Sequence, residues 1–119
     1  MIDHLWLRVS DVAAARDFYA IAAGHAGFQL NLDTPERAQF RGSSGSFSLV
    51  PGKPTDNVHM AFPVTDNERV RGYYRDATAA GHRDDGAPGE RPQYHPGYYG
   101  AFVLDPDGNS VELVDHHGA

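Results

Sequence analysis

Cysteine is absent from the 119-residue chain, which excludes disulfides, thiolate metal sites and cysteine nucleophiles together. Any transition metal would have to be held by nitrogen and oxygen, and seven histidines are available for that. Positive charge is scarce: ten Lys and Arg stand against sixteen Asp and Glu, a formal net charge of −6. No basic stripe suited to phosphate backbones emerges, so nucleic acid is not an expected partner. Long apolar runs are missing too, and nothing approaches the roughly 20 residues that a membrane-spanning helix needs. The opening MIDHLWLRVSD places charges where an export signal needs an unbroken apolar segment, so a cytoplasmic protein without membrane contact is expected. The length suits one domain with one modest core.

What the chain does contain is a repeat. Residues 4–19, HLWLRVSDVAAARDFY, align with residues 59–74, HMAFPVTDNERVRGYY, at five identities in sixteen positions: His4/His59, Val9/Val64, Asp11/Asp66, Arg16/Arg71 and Tyr19/Tyr74. Further on, SFSLV (Ser46 to Val50) matches SVELV (Ser110 to Val114) in the same order. Such self-similarity is the mark of a duplicated supersecondary unit. Each half reads as strand, helix and three strands. Residues 2–9 alternate as a strand; Ser10 and Asp11 offer a helix N-cap; Val12, Ala15, Phe18, Tyr19 and Ala22 form an apolar helical face; and Gly24 is the expected stop. HAGFQLNLD, ERAQFRG and GSFSLV follow as strands, and residues 51–56 form a linker.

The second half opens with a strand over Asn57 to Val64. Thr65-x-x-Glu68 matches a capping box, Val70, Tyr73, Tyr74, Ala77 and Ala80 give the next helix its face, and Gly81 ends it. His82 to Asp85 reads as a weak strand and Gly86 to Gly97 as a loop. Tyr98 to Leu104 and Ser110 to Val114 are strands joined by the turn Asp105-Pro106-Asp107-Gly108. The expectation is an α+β fold in one domain over 1–119: two pseudo-symmetric βαβββ modules, at about 1–51 and 57–116.

Side chains alternate across a strand. Leu5, Leu7 and Val9 should face the first helix, with His4, Trp6 and Arg8 on the opposite face. In the second half Met60 and Phe62 face the helix while His59 points away. Val111 and Leu113 go inward and Glu112 outward, with Ser48 as the repeat equivalent of Glu112. His4, His59 and Glu112 therefore form a candidate two-histidine, one-carboxylate set suited to a divalent ion with open positions. His95, Tyr98 and Tyr99, in YHPGYYGAF, are candidates for acid–base or substrate contact; core or interface packing competes for the tyrosines. Arg8 is a candidate partner for an anionic substrate group, against the alternative of a solvated strand-end cation. Trp6 either walls the cavity or fills it, and His116 and His117 are expected in solvent.

These segments resemble the vicinal oxygen chelate superfamily, the glyoxalase/bleomycin-resistance/extradiol-dioxygenase fold. IDHLWLRVSD matches its opening strand, NVHMAFPV the start of its second module, and FVLDPDGNSVELVDH its closing hairpin. The resemblance implies that His4, His59 and Glu112 are ligands of a divalent Fe, Mn, Ni or Zn ion inside a cupped mixed sheet. It also implies a homodimer. Glyoxalase I resembles this pattern but carries a further glutamate where Ser48 stands here. A serine hydroxyl cannot replace that carboxylate as a general base, so true lactoylglutathione lyase activity is not expected. Three protein ligands resemble extradiol dioxygenases, whose chains are usually longer, and fosfomycin-inactivating thiol transferases, whose cation-binding loop is not found here. Trp6, Arg8 and Ser48 would then lie on the substrate's side of the cup.

Two classes of function follow. One is a metal-dependent enzyme, a lyase, isomerase or dioxygenase, that binds neighbouring substrate oxygens and stabilises an enolate or oxyanion or activates O₂. The other is a metal-free small-molecule binder conferring antibiotic resistance, to which an acidic chain could attract a cationic drug. A degenerate enzyme with a structural role is a third option. Retention of the ligand triad favours the first.

Overall fold

The computed structural model describes residues 2–117. In chain order the elements are β1 (His4–Val9), α1 (Val12–Ala26), β2 (Gln29–Thr34), β3 (Arg37–Arg41) and β4 (Ser46–Pro51), then β5 (His59–Pro63), α2 (Asn67–Ala79), β6 (Asp84–Glu90), β7 (Tyr99–Leu104) and β8 (Ser110–Asp115). They build two four-stranded mixed sheets, ordered β1-β4-β3-β2 and β5-β8-β7-β6. In each the opening strand runs parallel to the closing one, His4 beside Ser46 and His59 beside Ser110, and the other pairings are antiparallel. This is the βαβββ duplication that the repeat predicts. No helix among the described residues is long and apolar enough to cross a membrane.

Each helix covers one face of its own sheet. Phe18, Tyr19 and Ala22 of α1 pack with Leu7, Val9, Phe40, Phe47 and Leu49; Val70, Tyr73 and Ala77 of α2 join Val103, Val111 and Leu113 in the same core. Leu5, expected inward, is left about a third exposed (37%) at the open end of β1. The helix-bearing sides then meet each other. A Cβ built on Gly72 would lie 2.6 Å from Cε1 of His25, so α1 and α2 approach as closely as they do because Gly72 has no side chain. His25 Nε2 also sits 2.8 Å from Asp76 Oδ2 across that contact, and Phe62 of β5 packs on Phe28 and Phe47 of the first module. Within one chain, therefore, the sheets join back to back as two separate hydrogen-bonded units. Their polar faces turn outward, and the edge strands β1 and β5 do not pair with each other.

Three boundaries differ from the sequence reading. Helix α1 runs past Gly24 and stops at Gly27, whose φ of 85° is the left-handed conformation a C-terminal cap requires. Helix α2 is capped by Asp66, which accepts the Arg69 N–H, and not by Thr65; Glu68 pairs with Arg71 instead of closing a capping box. The weak strand expected at His82 to Asp85 is shifted: strand β6 begins at Asp84 and runs on through Glu90, into the segment expected as a loop from Gly86. It is an edge strand with two register shifts, which is where a sheet accommodates Pro88 and glycines.

Candidate active site

On the outward face of the second module the Glu112 side chain is 2% exposed. Burying a carboxylate is costly unless its oxygens are engaged, and both are. His59 Nε2 lies 3.0 Å from Oε1, and the Tyr98 hydroxyl donates to Oε2 at 2.5 Å. His59 is half exposed (51%), and its other ring nitrogen, Nδ1, is 3.0 Å from the Ser110 hydroxyl. A hydroxyl donates or accepts as needed, so Ser110 can serve the imidazole whichever nitrogen carries the proton. Burial first, then the hydrogen bond to Glu112, raises the Tyr98 phenol above its usual range. Tyr98 is thus a proton donor at neutral pH and not a base.

Local sequence explains why these groups converge. Glu112 sits in register with Ala61 on β5 and Phe102 on β7, at the centre of its sheet. A Cβ on Gly100 would come within 2.7 Å of Glu112 Oε2, so glycine there makes room for the carboxylate. The β7–β8 turn is fastened by Asp105. Its Oδ1 accepts the backbone N–H groups of Asp107 and Asn109, each at 2.9 Å, and its Oδ2 accepts the Tyr19 hydroxyl of α1 at 2.6 Å. Asn109 in turn accepts the Val58 N–H and donates to the Thr55 carbonyl. The linker and the start of β5 are thereby pinned beside β8, which sets His59 against Glu112.

A cavity of about 420 Å³ opens over His59, lined by Arg91, Tyr94, Phe102 and Ser110. A larger one, about 510 Å³, lies far from these groups at the start of α1, where Arg16 is taken up by Asp17 and Asp33. His95 adjoins the Glu112 group in a second layer. Its ring meets Tyr98 edge-on and its Nε2 is 2.9 Å from His116 Nδ1. Nδ1 of His95 faces the Pro96 carbonyl at 2.7 Å, an oxygen that only accepts, so Nδ1 carries a proton and donates it there. His116 is exposed, as expected, but this partnership was not visible in the sequence. Tyr99 is not brought to the site: it packs on the core side, under Arg71 of α2.

The first module places its candidates on its own outward face. Trp6 pairs in register with Ser48. The buried Ser48 hydroxyl accepts from Nε of Arg37, whose guanidinium lies 4.7 Å over the Trp6 ring. Arg37 was missed by the sequence reading, although strand alternation puts it on the same face as Gln39 and Ser48. Arg8 runs along Gly52 and makes no ion pair among the described residues. His4 is 63% exposed and, among the described residues, its ring hydrogen-bonds only with Asp3, at 2.9 Å. Among the described residues, no three His, Asp or Glu side chains gather as a metal-binding group. One chain thus brings together His59 and Glu112 but not His4.

Comparisons with known proteins agree with this architecture. The family model of the Glyoxalase/Bleomycin resistance protein/Dioxygenase superfamily matches residues 1–113. Similar solved structures include a glyoxalase/bleomycin resistance protein from Albidiferax ferrireducens T118, 22% identical, with a TM-score of 0.82 over 97% of this chain and 98% of that one. A glyoxalase/bleomycin resistance protein/dioxygenase family enzyme from Burkholderia phytofirmans PsJN is 21% identical, with a TM-score of 0.75 over 96% and 98%. A lactoylglutathione lyase from Agrobacterium tumefaciens is 21% identical, with a TM-score of 0.69 over 97% and 92%. No functionally curated protein matches in sequence.

Proposed function

Since the chain belongs to the glyoxalase/bleomycin resistance protein/dioxygenase superfamily, we propose that it is a divalent-metal-dependent enzyme for a small substrate with neighbouring oxygens, and that its site forms between two copies of the chain. One observation carries the reading. His4 and His59 open the edge strands β1 and β5 at equivalent positions, on outward faces; the buried Glu112 carboxylate stands beside His59, whereas His4 meets only the exposed Asp3. Joining β1 of one copy to β5 of another closes both edges, which exposed sheets otherwise leave open to association. It also adds His4 of the second copy to His59 and Glu112.

The donor chemistry fits an ion in that assembly and not in a single chain, which supplies two donors. The 3.0 Å between His59 Nε2 and Glu112 Oε1 suits adjacent donors each about 2.1 Å from one ion. Ser110 would accept the Nδ1 proton and so orient the ring, while Tyr98 would hold Oε2. An ion so held supplies Lewis acidity to the substrate's oxygens. Ser48, engaged by Arg37 and unable to act as a carboxylate base, argues for a reaction other than that of a lactoylglutathione lyase. Fe, Mn, Ni and Zn all suit this donor set.

A second reading, a metal-free binder of an antibiotic-like small molecule, is favoured by the cavity of about 420 Å³ over His59, which is walled by the aromatic rings of Tyr94 and Phe102. Ion content separates the two. Untagged protein stripped with EDTA and reloaded with Fe²⁺, Mn²⁺, Ni²⁺ or Zn²⁺ should retain one equivalent per chain of a preferred ion, lost in His59→Ala and Glu112→Gln. Retention of none by the parent protein would overturn the enzyme reading.

A further inference from the structure

We propose that Arg37, Trp6 and Ser48 form an oxyanion subsite on the outward face of the first module, and that the substrate carries a carboxylate or phosphoryl group. The assignment to substrate rests on the shared-site reading above; the subsite itself lies within one module. Two contacts fix the guanidinium: its Nε donates to Ser48 Oγ at 3.0 Å, and its Cζ lies over the Trp6 ring, 4.7 Å from the ring centre. Ser48 is 1% exposed, so its hydroxyl is shielded from water and anchors the arginine from below. What is left is the Nη1 and Nη2 edge, with no hydrogen-bond partner among the described residues. That edge is the two-pronged donor that binds a carboxylate or phosphate in parallel.

The surroundings strengthen the case. Acidic residues outnumber basic ones sixteen to ten, and Arg16, Arg69, Arg71 and Arg75 have carboxylate partners; Arg37, like Arg8, Arg41, Arg83 and Arg91, has none among the described residues, and its contacts with Ser48 and Trp6 set it apart from those four. Gln39, in register with Ser48, has its oxygen occupied by Asn31 Nδ2 at 2.8 Å. Its amide nitrogen is left as a further donor, without a hydrogen-bond partner among the described residues. Trp6 is 47% exposed, so the stack is open to a ligand and not sealed in a core. The repeat-equivalent position carries Glu112 in one module and an arginine-bound serine in the other. A substrate meeting both faces would be oriented by charge, its anionic end toward Arg37 and away from Glu112.

Trp6 is the sole tryptophan, and a cation resting on an indole ring influences its emission, so binding at Arg37 can be read directly. Full-length, EDTA-treated protein would be titrated with sodium acetate and, separately, inorganic phosphate, at ionic strength held constant with chloride. The expected result is a saturable change in Trp6 emission with at least one anion, the tighter one identifying the substrate's group. Arg37→Gln should weaken it about tenfold or more; Arg37→Lys, which keeps charge without the fork, should fall between. Arg83→Gln, the same charge change at an exposed position, should bind as the parent does. No saturable response to either anion, or equal responses in Arg37→Gln and the parent, would overturn the proposal. Since the protein is ion-free and the three residues share one module, the outcome does not depend on whether the metal centre forms.

Discussion

Asp105 shows how much one side chain can hold. It accepts two backbone N–H groups of its own turn and the buried Tyr19 hydroxyl of the other module. Asp105→Ala would strand those donors and should destabilise the fold by about 3 kcal/mol in denaturant titrations, against about 1 kcal/mol for Tyr19→Phe, which removes one donor together with its bond. Burial, then the Asp105 charge, pushes the phenols of Tyr19 and Tyr73 well above the ordinary value of 10.0. The unfolded chain therefore releases these protons first. Stability should be fully present below pH 10 and fall above it by up to about 1.4 kcal/mol per pH unit for each phenol. Denaturant midpoints at successive alkaline pH values test this, and a flat profile would contradict it. Gly100 is the matching case at the site. Gly100→Ala should displace the Glu112 carboxylate and lower ion affinity about tenfold or more, with little loss of thermal stability. Parity made Glu112 legible in the sequence. The room beneath it was not, because a glycine's value there depends on a neighbour that only folding supplies.

At the scale of elements, the crossing of α1 and α2 depends on Gly72. Gly72→Val would drive side-chain atoms into His25 and force the helices apart, at about 1–3 kcal/mol in thermal or denaturant unfolding. His25→Ser should recover part of that loss by vacating the contact, whereas additive losses would show that the two do not touch. Both helices and seven of the eight strands were legible from periodicity and turn residues. Strand β6 was legible only at its start, within the weak strand at His82 to Asp85: Gly86, Pro88 and Gly89 read as a loop, and they are strand because β7 offers an edge that tolerates register shifts. The ends of α1 and the cap of α2 missed for a related reason. Gly24 and Gly27 are equally good stops by composition, and Thr65 stands next to Asp66, the better cap by intrinsic preference, with Glu68 at the spacing that draws the eye to Thr65. The choice falls to whichever residue reaches the left-handed conformation or the free N–H in three dimensions.

For the molecule as a whole, the repeat carried the architecture: five identities between residues 4–19 and 59–74, with the match of SFSLV to SVELV in the same order, paired the modules. Alternation then assigned faces to His4, Trp6, Ser48, His59 and Glu112. What alternation cannot say is which faces meet. The sheets join through their helices, so His4 looks out on one side of the chain and the His59–Glu112 pair on another, and the three-donor set proposed for the ion needs a second copy. A mixing experiment tests that claim most directly. His4→Ala and His59→Ala chains, each expected to retain no ion, would be unfolded, combined in equal amounts, refolded together and analysed for bound metal. If the site is shared, half of the random dimers pair unlike chains and each contains one intact site of two, so ion content should return to roughly a quarter of the parent value. If both donors act within one chain, no mixture can restore a site, and the ion content would stay at zero.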